Sequence, residues 1–258
     1  DFLGHKIGNA GQGACHRTPI IAEIGVNHNG DEQVAHHMID VAADCQVDIV
    51  KFQKRDLNTM LQQRYIDRPQ DAPTGLANLL PVLRRCELGD DAFARLQTHA
   101  KERGLGCLVT PFDTASVDFL ERLGVQAYKV ASCDATNPLL LAAVAATGKP
   151  FLVSTGMTRE MDVFEIAYFL KRIAAGRFGI LHAVSGYPAA FEDCQLHMIL
   201  RYKVAFKIPV GWSGHERGAE GVRHGRRGVG HDRIVLAEDH VGPVLLEPAG
   251  RDDDGRRP

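Results

Sequence analysis

The sequence predicts an α/β fold in which eight parallel strands and their helices close into a (β/α)8 TIM barrel. From residue 20 onward, short apolar runs alternate with segments of helical periodicity, which is typical of a parallel sheet with crossover helices. A length of 258 residues suits one barrel of this kind. The barrel domain is predicted over residues 20–245, between an irregular lead-in at 1–19 and a charged tail at 246–258 that we predict to be disordered.

The composition is that of an ordinary globular protein, with 45% hydrophobic and 24% charged residues. A formal net charge of −2 gives no electrostatic reason to expect nucleic acid or an anionic membrane as a partner. No apolar run approaches the roughly 20 residues that span a bilayer, and residues 1–19 lack the apolar segment of a signal peptide. The six cysteines show no C-x-x-C spacing, which favours reduced thiols in a cytoplasmic protein.

Each predicted strand is a short apolar run followed by a polar or turn-forming segment. The eight runs are residues 20–25, 49–53, 107–112, 127–132, 151–156, 180–185, 208–213 and 234–239. Helical spacing appears between them at residues 34–42, 93–104, 114–120, 139–146, 160–173 and 193–202. Asp113 is a predicted N-cap, whereas Gly104 and Gly148 mark predicted helix ends.

Two stretches depart from this alternation. Residues 54–90 contain three prolines and form a long insertion after the second strand, which in a barrel lies over the C-terminal face. Residues 216–230 follow the seventh strand and contain five glycines. Because glycine costs about 1 kcal/mol per helical position relative to alanine, we expect no regular helix in this second stretch.

Polar residues occur near the end of every predicted strand, where barrel enzymes carry their chemistry. In chain order they are Glu23, Asn27 and His28; Lys51 and Gln53; Thr110 and Asp113; Lys129, Ser132 and Asp134; Ser154 and Thr155; His182, Ser185 and Tyr187; Ser213 and His215; Asp239 and His240. A buried lysine is strongly penalised without an anion. Two lysines among hydroxyl donors therefore predict a pocket for a small, highly charged anion, such as one with a phosphate and a carboxylate.

Three of these residues allow more than one interpretation. Glu23 lies within an apolar strand, so it is either a paired structural group or a site group directed at a ligand. His215 and His240 follow neighbouring strands of a closed barrel, and two neutral imidazoles at such positions can hold a divalent metal together with water. Either histidine on its own is equally compatible with an ordinary surface loop.

At these residues the chain resembles the sialic acid synthase family. The matching segments are IIAEIGVNHNGD, DIVKFQKRDL, LVTPFDTASVDFLERLGVQAYKVASCDATN, PFLVSTGM, ILHAVSGYP and IPVGWSGHERG, which span residues 20–218 in the family's order. The resemblance implies a TIM barrel that condenses phosphoenolpyruvate with an N-acyl hexosamine, such as N-acetylmannosamine or its 6-phosphate. It also implies a divalent metal, Mn²⁺ or Mg²⁺, as cofactor.

The resemblance further implies a role for each matching position. The positions that match the phosphoenolpyruvate pocket are Lys51, Thr110, Lys129, Ser132, Ser154, Tyr187 and Ser213. Glu23 and Gln53 match positions near the amino sugar, and Asp134 matches the acidic position that handles the attacking water or its proton. His215 matches the first metal histidine, and His240, in Glu238-Asp239-His240, replaces the motif of the second.

The last part of the sequence departs from the family pattern. Residues 219–233 are rich in glycine, arginine and histidine where the family has an apolar helix, and a shifted reading frame over about 219–245 would explain the change. His231 is a weaker alternative for the second metal ligand. We expect no antifreeze-like second domain within this sequence, and a homodimer is possible through another surface. Two alternative functions remain: a non-catalytic, anion-binding barrel, or a 3-deoxy-aldulosonate-phosphate synthase.

Overall fold

The core of the molecule is a curled parallel sheet whose strands follow one another in chain order. The computed structural model describes residues 2–3, 18–72, 75–216 and, for the backbone, 235–237. The strands are β1 (Ile20–Gly25), β2 (Ile49–Lys54), β3 (Gly106–Pro111), β4 (Tyr128–Val130), β5 (Phe151–Ser154), β6 (Phe178–Ala183), β7 (Val210–Gly214) and β8 (Val235–Ala237). Backbone pairing of β8 with both β7 and β1 joins the two edges of the sheet.

The predicted α/β class and its TIM-barrel-like parallel sheet are confirmed. The complete set of eight β/α units stays a prediction, because residues 217–234, which connect β7 to β8, lie outside the described part of the chain. The domain boundaries at 19/20 and 245/246 likewise stay predictions. No helix in the described residues combines the length and apolarity that crossing a membrane requires.

Helices lie in the connections between the strands. They are α1 (Glu32–Asp44), α2 (Leu57–Met60), α3 (Gln63–Asp67), α4 (Leu76–Cys86), α5 (Asp90–Glu102), α6 (Thr114–Leu123), α7 (Pro138–Ala146), α8 (Glu160–Ile173) and α9 (His197–Phe206). The predicted insertion at 54–90 contains α2, α3 and α4 with a 3-10 turn at Pro69–Asp71. Asp113 caps α6 as predicted, because its carboxylate accepts hydrogen bonds from the Ser116 N–H and hydroxyl.

The prediction of a helix at residues 193–202 is wrong about where the helix begins. The chain instead forms a 3-10 turn at Phe191–Cys194, and α9 begins only at His197. Between them Gln195 has a φ of +42°, a left-handed conformation that interrupts any continuous helix. The apolar spacing after the sixth strand was therefore a correct indication of a helix, but not of where it begins.

Two apolar clusters lie on opposite faces of the sheet. The larger one packs the outward side chains of the strands against the helices, with Val50, Phe52, Val109 and Trp212 among its members. The smaller one fills the barrel interior, and we call it the apolar floor; its members are Phe2, Ile21, Ile49, Leu108, Ala127, Leu152 and Leu181. Successive strand residues alternate between the two clusters, as the pleat of a strand requires. Phe2, from the predicted irregular lead-in, is only 4% exposed within this floor.

Candidate active site

A layer of polar side chains lies directly beyond the apolar floor, toward the C-terminal ends of the strands. On β1 to β5 each interior floor residue is followed two positions later by a polar residue, and on β7 the polar residue follows Gly211. We call this layer the polar ring; its members are Glu23, Lys51, Thr110, Lys129, Ser154 and Ser213. Because side chains alternate along a strand, a separation of two residues keeps both on the interior face. All six belong to the predicted site.

An ion pair joins the first three members of the ring. The Lys51 ammonium lies 2.5 Å from the Glu23 carboxylate and donates a hydrogen bond of 2.9 Å to the Thr110 hydroxyl. Lys51 is 1% exposed and the Glu23 side chain 8%, so both charges are held away from bulk water. Of the two interpretations of Glu23, pairing is present in the structure, and the pair faces the predicted ligand site. A ligand anion there would compete with Glu23 for Lys51.

Hydroxyl groups line the ring on the side of β4 to β7. The Ser132 hydroxyl accepts a hydrogen bond of 3.0 Å from the Gly156 N–H. A methyl group added at Gly156 would lie 2.6 Å from the Ser185 hydroxyl oxygen and 3.2 Å from that of Ser132, so the close approach requires glycine. Within the described residues the buried hydroxyls of Ser154, Ser185 and Ser213 make no hydrogen bond. Buried hydroxyls without partners are costly and are available to a ligand.

Lys129 and Asp134 approach the site from β4 and the turn that follows it. Lys129 is 6% exposed, two residues beyond the floor residue Ala127. Asp134 lies half-buried in the 3-10 turn Ser132–Asp134 and accepts a hydrogen bond of 3.2 Å from the Asn137 amide. Burial and the neighbouring Asp134 carboxylate raise the pKa of the Cys133 thiol to about 11. Cys133 is therefore not a thiolate nucleophile near neutral pH.

His215 follows β7 and lies beneath an aromatic ring. Its imidazole is 4% exposed, and the centroid of the Tyr187 ring lies 4.5 Å from that of His215. Tyr187 itself is 65% exposed, so it covers the histidine from the solvent side. The Ala189 N–H donates to the His215 carbonyl at 2.9 Å, which ties the loop after β6 to the end of β7.

The described residues supply part of the predicted metal site. An imidazole at a strand end, with room for water ligands, suits Mn²⁺ and less closely Mg²⁺. His215 fits as one such ligand, but the described part of the chain contains no group of three or more metal-ligand side chains. His240 and the alternative His231 lie outside the described residues. The metal therefore stays a proposal.

Several of the strand-end polar residues have structural partners instead. His182 faces the helices, where its Nε2 lies 3.0 Å from the Cys194 carbonyl oxygen and its ring packs against Tyr202 and Trp212. Thr155 donates to the Leu181 carbonyl at 3.2 Å. The His28 Nδ1 accepts from the Gly30 N–H at 3.0 Å, and burial lowers the pKa of this histidine. None of these residues was assigned a site role.

Arg55 is a buried residue near the site that the sequence analysis did not predict. Its side chain is 9% exposed, and it donates a hydrogen bond from Nη2 to the Gln53 amide oxygen. Gln53 in turn lies near Glu23, since both side chains approach the position of a methyl group added at Gly25. The alternation that places Lys51 and Gln53 on the interior face points to position 55 as well. It was missed because the predicted strand ended at residue 53.

Comparison with known proteins found a matching family model and several similar proteins. The model of the NeuB family matches residues 38–224. An N,N'-diacetyllegionaminic acid synthase of Campylobacter jejuni is 37% identical over 206 residues, covering 78% of this chain and 62% of that protein. The N-acetylneuraminate-9-phosphate synthase of Mus musculus is 36% identical over 246 residues, covering 92% and 68%. The chain thus spans less than two thirds of the Campylobacter protein's length.

Among solved structures, the chain is similar to the N-acetylneuraminic acid synthetase of Leptospira borgpetersenii in complex with citrate. The TM-score is 0.74 and the sequence identity 29%, over 91% of this chain and 78% of that one. The similarity extends over most of the described strands and helices, so it supports both the fold and the order of the strand ends.

Proposed function

This chain belongs to the NeuB family, and we propose that it condenses phosphoenolpyruvate with an N-acyl hexosamine to form a nine-carbon acidic sugar and inorganic phosphate. The observation that carries the proposal is the polar ring, in which two buried lysines stand among hydroxyl groups at the end of an otherwise apolar barrel. Ammonium and hydroxyl donors match the carboxylate and phosphate oxygens of phosphoenolpyruvate.

The ring would bind phosphoenolpyruvate by neutralising its two acidic groups. Lys51 and Lys129 would hold the carboxylate and the phosphate, which repel each other in the free molecule. The hydroxyls of Thr110, Ser154 and Ser213 would donate to the remaining oxygens, and two of these hydroxyls make no hydrogen bond within the described residues. Such fixed donors in a buried site stabilise charge more strongly than the same groups in water.

The reaction joins two carbons and breaks one carbon–oxygen bond. The enol C3 of phosphoenolpyruvate attacks the aldehyde C1 of the open-chain sugar, and the aldehyde oxygen takes up a proton. Cationic character then develops at C2 of phosphoenolpyruvate, where water adds and loses a proton. Cleavage of the bond between C2 and the phosphate oxygen releases phosphate, which takes up the proton of the added hydroxyl as that group becomes the ketone. Asp134, on the turn after β4, is the group we assign to receive the proton of the water.

The amino sugar would lie above the ring, toward the mouth of the barrel. Glu23 and Gln53 approach each other at Gly25, where carboxylate and amide groups can bind sugar hydroxyls. A divalent metal bound by His215 and His240 would supply Lewis-acid polarisation of the aldehyde oxygen. Tyr187 would shield this region from solvent. Positioning of two reactants in this way contributes roughly 7–11 kcal/mol in the best-oriented intramolecular cases.

The proposal is tested by measuring phosphate release from phosphoenolpyruvate with N-acetylmannosamine, its 6-phosphate or a related N-acyl hexosamine, with and without Mn²⁺. We expect release that requires both sugar and metal and that is lost in His215→Ala. His37→Ala, on the exposed face of α1, is the matched control and should retain activity. No release with any of these sugars, despite phosphoenolpyruvate binding, would contradict the synthase and favour an anion-binding barrel. Homodimer formation and the lack of a nucleic-acid partner stay predictions.

A further inference from the structure

Arg55 is a buried cation whose charge is incompletely compensated. Its guanidinium lies 4.2 Å from the centroid of the Phe112 ring, which fixes its plane. Nη2 donates to the neutral Gln53 amide, and Nη1 makes no hydrogen bond within the described residues. The carboxylate of Glu87 is 3.8 Å from Nη1, beyond hydrogen-bond distance. A guanidinium has five donors, so a buried one with these few acceptors has donors left for a ligand.

Glu87 cannot neutralise Arg55 alone, because a second cation shares it. The Lys54 ammonium lies 3.8 Å from Glu87 and 3.6 Å from Asp90, on the opposite side of β2, where it packs over the Phe93 and Phe119 rings. Partial burial raises the pKa of Glu87 despite these two cations. Burial likewise lowers the pKa of Arg55. An anion brought by a substrate would raise the lowered pKa of Arg55 again.

The position of Arg55 indicates which substrate would bring that anion. Along β2, Lys51 lies deepest in the ring, Gln53 comes next and Arg55 is nearest the mouth. In the proposed reaction the sugar's C1 must meet phosphoenolpyruvate at the ring, so the opposite end of the sugar points toward the mouth. The side chain at position 55 therefore stands level with the far end of the sugar, away from the two acidic groups that Lys51 and Lys129 hold.

We propose that Arg55 is a specificity-determining residue that binds an anionic group at the far end of the sugar, so that the preferred substrate is an N-acyl hexosamine carrying a phosphoryl group. This inference rests on the proposed function. A planar guanidinium with free donors binds phosphoryl oxygens in a fork geometry, whereas a neutral hydroxyl would leave the charge uncompensated.

The test compares the unmodified chain with Arg55→Gln, using N-acetylmannosamine and N-acetylmannosamine 6-phosphate as sugars. We expect the unmodified chain to prefer the phosphorylated sugar. Arg55→Gln should raise KM for that sugar roughly 10- to 100-fold, the range for a lost hydrogen bond to a charged group. KM for phosphoenolpyruvate and for the unphosphorylated sugar should change less than about twofold. Arg55→Lys should recover part of the loss, because it restores the charge without the fork.

Arg95→Gln is the matched control, since Arg95 is an exposed arginine on α5 that pairs with Glu32 of α1. It should leave all three KM values unchanged. A rise in KM for phosphoenolpyruvate in Arg55→Gln would place the residue in the other subsite and overturn the inference. Equal KM values for the two sugars in the unmodified chain would also overturn the inference. The same holds if Arg55→Gln loses activity equally with both sugars and has a lower melting temperature.

Calorimetric binding of N-acetylmannosamine 6-phosphate separates failure of this inference from failure of the proposed function. Turnover of N-acetylmannosamine with no Arg55-dependent binding of its 6-phosphate overturns the inference alone. Absence of turnover with both sugars overturns the proposed function and, with it, the assignment of Arg55 to a sugar substrate.

Discussion

The apolar floor and the polar ring are built on the same strands, only two residues apart, and differ in what they contribute. Floor residues such as Ile21, Ile49 and Leu108 are fully buried and have no polar atoms to satisfy. Ring residues are almost equally buried but carry charges and hydroxyls, some of them without a partner in the described structure. The floor stabilises the barrel, whereas the ring retains polar groups that burial disfavours. A residue that stabilises the barrel and a residue of the candidate site are therefore only two positions apart on the same strand.

The largest effect should come from breaking the ion pair of the ring. Lys51→Met removes the ion pair of the buried Glu23 carboxylate. We therefore expect the free energy of unfolding to fall by about 3–5 kcal/mol. Adding Glu23→Leu to Lys51→Met should recover most of that loss, because the isolated charge is removed as well. Urea denaturation measures both. A double variant no more stable than Lys51→Met would contradict the view that the pair is retained for chemistry.

Truncation of the floor should cost stability without changing ligand binding. Leu152→Ala removes buried methyl groups two residues before Ser154, and we expect a loss of about 2–5 kcal/mol in the free energy of unfolding. Phosphoenolpyruvate affinity, measured by calorimetry below the melting temperature, should stay within about twofold, since no ring group is removed. A large loss of affinity at retained fold would show that the two layers are not independent.

Substitution of a ring hydroxyl should lower phosphoenolpyruvate affinity without lowering stability. Ser213→Ala removes a buried hydroxyl that has no partner among the described residues, so the free energy of unfolding should stay constant or rise by up to about 1 kcal/mol. Phosphoenolpyruvate affinity should fall about tenfold or more. The matched control is Thr155→Val, which removes a satisfied hydroxyl and should cost about 1 kcal/mol. A clear loss of stability in Ser213→Ala would show that the hydroxyl is structural.

The smallest effect concerns a histidine beside the ring. Burial lowers the pKa of His28 below its ordinary value of 6.5, so the unfolded chain binds a proton more readily than the folded one. Stability from this group is complete above pH 6.5 and decreases as the pH falls toward the lowered value. His28→Gln should flatten the decline of the urea midpoint between pH 7.5 and 5, and His37→Gln on α1 should not. Superimposable curves for the original and His28→Gln would contradict this.

Much of the fold followed from periodicity, because burial imposes a period of two on strands and 3.6 on helices. The eight strand positions and the helix at residues 160–173 agree with the structure to within a few residues. The beginning of α9 could not be predicted from periodicity, because glutamine is not a residue type that indicates the left-handed conformation of Gln195. Domain limits and the function of residues 217–258 stay predictions.

The residues of the polar ring were predictable because the same position is polar on most of the strands. Residues outside the ring were harder to predict. Lys51 and Lys129 were recognisable because a lysine inside an apolar run has few structural explanations. His182 was named among the polar residues near the strand ends, although its position in the alternation places it with the outward-facing Trp212. Arg55 was missed because the inward face continues past the end of the apolar run, where the contact with Gln53 shows the direction of its side chain.

The glycine at position 156 has a consequence for redesign of the pocket. Because the Ser132 and Ser185 hydroxyls lie so close, position 156 has no space for a side chain, and any substitution there would displace these hydroxyls. Directed evolution toward new sugars should therefore accumulate changes at the opposite wall, around positions 53 and 55, where the lining is made of side chains. Position 156 is closed to substitution, whereas positions 53 and 55 are open to selection.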